Sequence, residues 1–257
     1  MEVIADVKLH AYGDLTVLQD VKLHLHPGEI VSVIGPSGCG KSTLLGIIGG
    51  ILKPTDGVIY MEGHPPPDSL NPLTYIFQDF ALLPWRTVAQ NVALPLEHHK
   101  LSSAERKARV LDALQRTKLD DFANALPKQL SGGMRQRVGI ARALVVRPAV
   151  LLMDEPLSAL DAQTRDLLME DFLDLWLRER VAGIYVTHNF HECLRLADRV
   201  MVLSRRPGKI KEIIDVRIPQ RERTLKSAQA ELAELGEKLW SLIRDEAATA
   251  DREVVDA

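Results

Sequence analysis

Residues 30–43, Ile-Val-Ser-Val-Ile-Gly-Pro-Ser-Gly-Cys-Gly-Lys-Ser-Thr, constrain this chain more than any other stretch. Ile30 to Ile34 is a short, β-rich, mostly apolar run that Gly35 ends. Between Gly35 and Gly40 the chain can turn sharply, and the glycines let backbone N–H groups approach an anion with no side chain in the way. Lys41 adds a positive charge at the start of a helix, where the macrodipole already favours phosphate. Ser42 follows with a hydroxyl suited to Mg²⁺. The segment Gly35, Pro36, Ser37, Gly38, Cys39, Gly40, Lys41, Ser42, Thr43 is therefore read as a phosphate-binding loop of pattern G-x-x-x-x-G-K-[ST]. It predicts a strand before it, a helix after it and a nucleoside triphosphate as ligand.

A chain of 257 residues suffices for one large domain or two lobes sharing a core. Hydrophobic residues at 46% and charged ones at 26% exclude disordered and fibrous classes, and a net charge of −3 gives no electrostatic reason to expect nucleic acid as a partner. Cys39 and Cys193 match neither a metal-ligand spacing nor a disulfide framework, so they read as reduced thiols of a cytoplasmic protein. The N-terminal residues lack a basic region followed by an apolar core, and the apolar stretch Leu44 to Leu52 is too short to span a bilayer. Any membrane role is expected to come through a partner.

Alternation over residues 3–10 and 21–26 predicts strands with one buried face, joined by a turn at Tyr12-Gly13-Asp14. Tyr12 either stacks on an adenine ring or caps the end of a small sheet. Lys41 to Ile51 reads as a buried helix, with strands expected near Val58 to Met61 and Leu73 to Phe77. Gln78 follows that last strand, as a polar strand-end residue or one that reaches a metal or water. Helical patterns dominate residues 80–145, read as a lobe inserted into the nucleotide core, with Ser102 as N-cap and Glu105 as its capping-box partner. Within it, Ala81 to Arg86 gathers apolar residues at a proline turn, as local core or as a docking surface.

Ser131, Gly132 and Gly133 make a capped helix start with open backbone N–H groups, which would serve as a second anion site or simply as a helix cap. Val150 to Met153 reads as a buried strand with Asp154 and Glu155 at its exit. Asp154 suits Mg²⁺ and Glu155 suits general-base activation of water. Asp161 stands at a helix start, free to contact a neighbouring surface. A helix over 162–180 leads to a strand ending at Thr187-His188. His188 with His191 lacks further ligands spaced for a metal site. Residues 199–203 and 210–216 read as a hairpin, and the basic segment 205–226 as solvated surface or as a neighbour of phospholipid headgroups. Leu225, Ala228, Leu232, Leu235, Leu239 and Leu242 mark one helix face, expected to pack on the protein itself, with residues 245–257 as a fraying tail.

The ordered set of Tyr12, loop 35–43, Gln78, Leu130 to Gly133, Asp154-Glu155, Ser158 to Asp161 and His188 resembles the ATP-binding cassette (ABC) family, the ATPase subunits of ABC transporters. The resemblance implies an α/β P-loop NTPase fold with a RecA-like core, an antiparallel β subdomain and an inserted helical subdomain. The ATPase domain would span 1–220, followed by a C-terminal amphipathic helix. Carried onto this chain, it assigns adenine to Tyr12, Mg²⁺ to Ser42, Asp154 and Gln78 (or water to Gln78), and catalytic roles to Glu155 as activator of water, His188 at the γ-phosphate, Gln78 as its sensor and Lys41 at the β- and γ-phosphates. It further implies a head-to-tail dimer in which Ser131, Gly132 and Gly133 of one subunit, with Asp161 nearby, complete the site of the other.

The segments 77–96 and 197–210 resemble the nitrate/sulfonate/taurine importer group. Asn189, where an aspartate is common, and Cys193, where an alanine is usual, depart from the pattern without removing a catalytic group. The expected partners are a second ATPase subunit, with a homodimer the leading expectation, permease subunits, and an extracytoplasmic binding protein. The expected place is the cytoplasmic face of the membrane. Rival readings are a lipid or other export system and a non-transport ABC ATPase. A P-loop kinase or GTPase leaves Leu130 to Gly133 unexplained.

Overall fold

In the computed structural model, which describes residues 1–255 with side chains to residue 244, the chain runs through sixteen principal elements. They are β1 (Glu2–Tyr12), β2 (Leu15–Leu25), β3 (Ile30–Ile34), α1 (Lys41–Ile48), β4 (Asp56–Glu62), β5 (Leu73–Ile76), α2 (Val88–Ala93) and α3 (Ser103–Arg116). Then follow α4 (Gly132–Leu144), β6 (Val150–Asp154), α5 (Ala162–Glu179), β7 (Ala182–Val186), α6 (Phe190–Leu196), β8 (Arg199–Leu203), β9 (Ile210–Asp215) and α7 (Gln229–Val255). The backbone divides into two units, Met1–Gly63 with Ala182–Ala257, and His64–Val181.

In the first unit, β1 pairs antiparallel with β2 on one side and β4 on the other. Val3, Ala5 and Val7 are buried while their neighbours face outward, which is the reason for the alternation. Strand β2 begins at Leu15, earlier than its alternation showed, because Val17 and Leu18 are both buried and interrupt the period. Strand β3 is buried at all five positions between β7 and β8, both parallel to it. A strand covered on both faces has no outward positions to make polar, hence its nearly unbroken apolar run. Strands β8 and β9 form the expected antiparallel hairpin.

Helix α7 lies on its own unit. Leu239 is fully buried, Gly236 approaches Leu194, and the Phe190 and Trp240 rings meet edge-on at 6.1 Å. Leu225, read as part of this face, instead precedes the helix and is exposed. The tail expected to fray from residue 245 has helical backbone to Val255, and residues 256 and 257 lie outside the described residues. The basic segment 205–226 is not all surface. Arg223 is only 3% exposed and donates to the carbonyls of Ile218, Leu194, Ala197 and Val216.

The second unit joins the parallel pair β5–β6 to helices α2 to α5, so it extends beyond the helical stretch expected at 80–145. Its helical core contains Val88, Val92, Leu96, Leu114, Val138 and Ala141. Helix α3 starts at the expected capping box, with the Glu105 amide donating to Ser102 Oγ and the Ser102 amide to Glu105 Oε2. Thr87 and Gln90 form an equivalent box on α2.

Candidate phosphate-binding site

Loop 35–40 joins β3 to α1. Gly40, at the N-cap of α1, sits at φ +102°, and its missing side chain leaves the helix start without a side-chain cap. A Cβ there would lie 2.7 Å from Leu18, so the position excludes other residues on both backbone and packing grounds. Gly38 is also left-handed, at φ +75°. The Lys41 ammonium is held over the loop by the carbonyls of Gly35 at 2.9 Å and Pro36 at 3.0 Å. Ser42 is exposed beside it, and Thr43 is half-buried. Cys39 is 1% exposed, its sulfur against Gly35 and near the Lys41 ammonium, so it shapes the loop from inside.

His188 emerges beside the base of this loop, because the Thr187 amide donates to the Val33 carbonyl. The turn that carries it is fixed on both sides. Thr187 Oγ1 donates to the buried Glu192 carboxylate at 2.7 Å and accepts from the Asn189 amide. Tyr185 donates to the same Glu192 oxygen at 2.9 Å. Asn189 caps α6 by accepting from His191 and Glu192, a task its amide oxygen performs as an aspartate would. Cys193 is fully buried near Ser32, and burial pushes its thiol pKa well up. His191 is exposed, and no described metal cluster includes it.

Tyr12 ends β1 with its ring 52% exposed, set edge-on to His10 at 4.9 Å. It pairs across the hairpin with Leu15, and the same hairpin supplies Leu18 and Val17 against Gly40. The ring is thus presented from a strand pair anchored on the loop.

In the second unit, β6 delivers Asp154 and Glu155 together. The Tyr75 hydroxyl lies 3.4 Å from Asp154 Oδ2, and burial, with the Asp154 charge, raises the tyrosine's pKa. Asp154 therefore faces a neutral donor. Glu155 adopts φ +45°, a conformation uncommon for a non-glycine residue and frequent where function over-determines the backbone. Ser158 holds that turn by donating to the Glu155 carbonyl at 2.9 Å. Gln78 lies two residues past β5 and is exposed, so it begins a loop rather than ending the strand.

Ser131 caps α4 as expected, accepting from the Met134 amide. The paired glycines have an additional reason: a Cβ at Gly133 would lie 2.9 Å from Thr164, and one at Gly132 would lie 3.3 Å from Leu160. They let the start of α4 approach the α5 region. Asp161 is exposed at the start of α5, as its position in the sequence suggested. It caps α5 by accepting from the Thr164 amide at 3.0 Å, and this bond holds its carboxyl below the usual range.

Two supporting groups escaped the sequence reading. Gly208, in the connection between the two strands of the expected hairpin, backs the phosphate loop so closely that a Cβ would lie 2.2 Å from the Cys39 carbonyl oxygen. Arg142 of α4 donates to the carbonyls of Phe80 and Ala81 at 2.7 Å each, fastening the loop that follows Gln78. The Arg-Pro-Gly at 206–208 signalled only a turn. Nothing local marks Arg142.

Comparison with known proteins finds relatives for the chain as a whole. The family model described as ABC transporter matches residues 18–158. The aliphatic sulfonates import ATP-binding protein of Bacillus cereus is 42% identical over 207 residues, covering 80% of this chain and 81% of its own. The nitrate import ATP-binding protein of Synechococcus elongatus is 42% identical over 215 residues, covering 81% of this chain and 32% of its own. A dimeric ATP-binding cassette solved in a post-hydrolysis state with ADP and phosphate superposes with a TM-score of 0.70 at 35% identity, covering 84% of this chain and 99% of that one.

Proposed function

Because this chain belongs to the ABC transporter family and is an ATPase, we propose that it energises import of a small anion of the nitrate or sulfonate type. The relatives that carry these names, each 42% identical, support that substrate class. The observation that carries the reading is the phosphate loop: Gly40 in a left-handed conformation at an uncapped helix start, with the Lys41 ammonium held over it.

In this reading the loop amides and Lys41 bind the β- and γ-phosphates. Ser42, Gln78 and Asp154 supply the oxygen donors that Mg²⁺ prefers, and the ion when bound neutralises phosphate charge. Glu155 takes the proton of the attacking water, and the fixed turn at 187–189 aims His188 at the γ-phosphate. Tyr12 stacks on adenine. The ATPase domain spans 1–220 with the helical subdomain at 80–145 as its insertion. Two copies close head to tail, so that Ser131, Gly132 and Gly133 of one face the nucleotide of the other, with Asp161 close by.

Trp85 is 73% exposed on the loop that Arg142 fastens, a surface suited to a permease segment. No helix among the described residues is long and apolar enough to cross a membrane. We place the subunit on the cytoplasmic face, working with permease subunits and an extracytoplasmic binding protein. The test is Glu155→Gln, which should bind ATP normally, hydrolyse it at least about 100-fold more slowly, and elute with ATP as a lasting dimer. Turnover close to that of the parent would remove Glu155 from the role of base.

A further inference from the structure

Two histidines and a glutamate meet on the outward face of the three-stranded sheet, and none of them serves the nucleotide site. His24 in β2 and His26, one residue past its end, stand two residues apart, so the extended chain sends both to one side while Leu25 between them is buried. The antiparallel register sets Val3 opposite Leu25 and Ile4 opposite His24, which brings Glu2 of β1 to the same face. One ligand atom from each of Glu2, His24 and His26 lies within 4.8 Å of the other two. His24 Nε2 is 2.7 Å from Glu2 Oε2, and the two imidazole rings have centroids 4.1 Å apart.

The backbone beneath them is fixed. The His26 amide donates to Glu29 Oε2 at 2.8 Å, and Arg199 ties the His24 carbonyl to the same Glu29. The ligands therefore stand on paired strands and a pinned turn rather than on a loose loop.

We propose that Glu2, His24 and His26 form a binding site for a divalent first-row transition metal, with Zn²⁺ as the best match. Two neutral imidazoles and one carboxylate are a donor set found at three-ligand zinc sites, with a fourth position left for water. Mg²⁺ and Ca²⁺ prefer all-oxygen shells, so the ion that accompanies the nucleotide does not compete here. Ligands at about 2.0–2.2 Å from a tetrahedral zinc stand about 3.3–3.6 Å from one another. The ligand atoms, all within 4.8 Å of one another, have to close by only about 1–1.5 Å to reach that spacing. The same groups without a metal make an exposed histidine–glutamate pair of small energetic value. A bound metal would instead join β1 to β2 near their open ends and stabilise the fold by mass action.

The proposal is independent of the transport reading, and so is its test. Untagged full-length protein, free of nucleotide, is titrated with Zn²⁺ by calorimetry and with Co²⁺ by visible absorption. One equivalent should bind, with Co²⁺ showing the bands of a low-coordinate imidazole site and Zn²⁺ raising the Tm. His24→Ala and His26→Ala should each weaken binding by at least about tenfold, and the double variant should lose both the bands and the Tm shift while keeping its ATP turnover. Absence of stoichiometric binding would overturn the proposal. So would undiminished binding in the double variant, which would place the ion on other histidines such as His98 and His99.

Discussion

Gly208 stands against the back of the phosphate loop, its amide donating to Val17 and its carbonyl accepting from Gln19. A methyl group there cannot be absorbed by a side chain, because the atom 2.2 Å away is the backbone carbonyl of Cys39. Gly208→Ala is expected to keep the fold of the sheet but displace the loop, weakening ATP binding by about tenfold or more, the equivalent of a shift of about 1.4 kcal/mol. Fluorescent-nucleotide titration beside a circular-dichroism melt checks this. Unchanged affinity would show that the loop tolerates the push. The comparison with Gly35 and Gly40 explains what can be read from residues alone. Those glycines announce themselves because they lie in one contiguous pattern with Lys41 and Ser42. Gly208 acts on the same loop from far along the chain, and its local signal says only turn. Asp161 shows another limit: its position at a helix start was legible, but that its carboxylate caps α5 by accepting from the Thr164 amide was not.

Helix α4 shows what an element adds. Its N-cap, Ser131, is written in local sequence, as are Ser102 for α3 and the buried run of β6. What its body does is not, because Arg142 reaches two carbonyls some sixty residues back in the chain. Burial lowers the Arg142 pKa, yet the two carbonyls receive its donors, and Arg135 stands over the Phe80 ring from the same helix. One rigid element thus connects the Ser131–Gly133 start to the loop that carries Ala81 at φ +45° and the exposed Trp85. Arg142→Ala should release that loop. Amide exchange across residues 78–86 is expected to speed up several-fold, while ATP affinity of the isolated chain stays near its parent value. Arg142→Lys should sit between, since a single ammonium does not reproduce a planar fork that spans two carbonyls. Exchange rates that do not move in either variant would show that the loop is held by other contacts. Arg223 is a second case of the same kind: eight basic residues suggested a charged surface, but this one is buried with four carbonyls around it.

For the whole molecule, the question is whether one chain contains a complete site. The phosphate loop and the Ser131 helix start are each well formed, and each presents backbone amides suited to an anion. Sequence alone shows two such places without saying that they serve one ligand. The head-to-tail reading makes a sharp prediction through symmetry. Lys41→Ala removes the loop cation, and Ser131→Arg blocks the helix start, so each variant alone should be inactive in both sites of its dimer. Mixed in equal amounts, half of the dimers pair unlike chains, and each of these has one site with both defects and one with neither. Activity in the mixture should therefore recover to about a quarter of the parent value. If each chain used only its own residues, no pairing could repair either defect and the mixture would remain as inactive as its components. Recovery that appears only after the variants are allowed to exchange partners distinguishes a shared site from contamination.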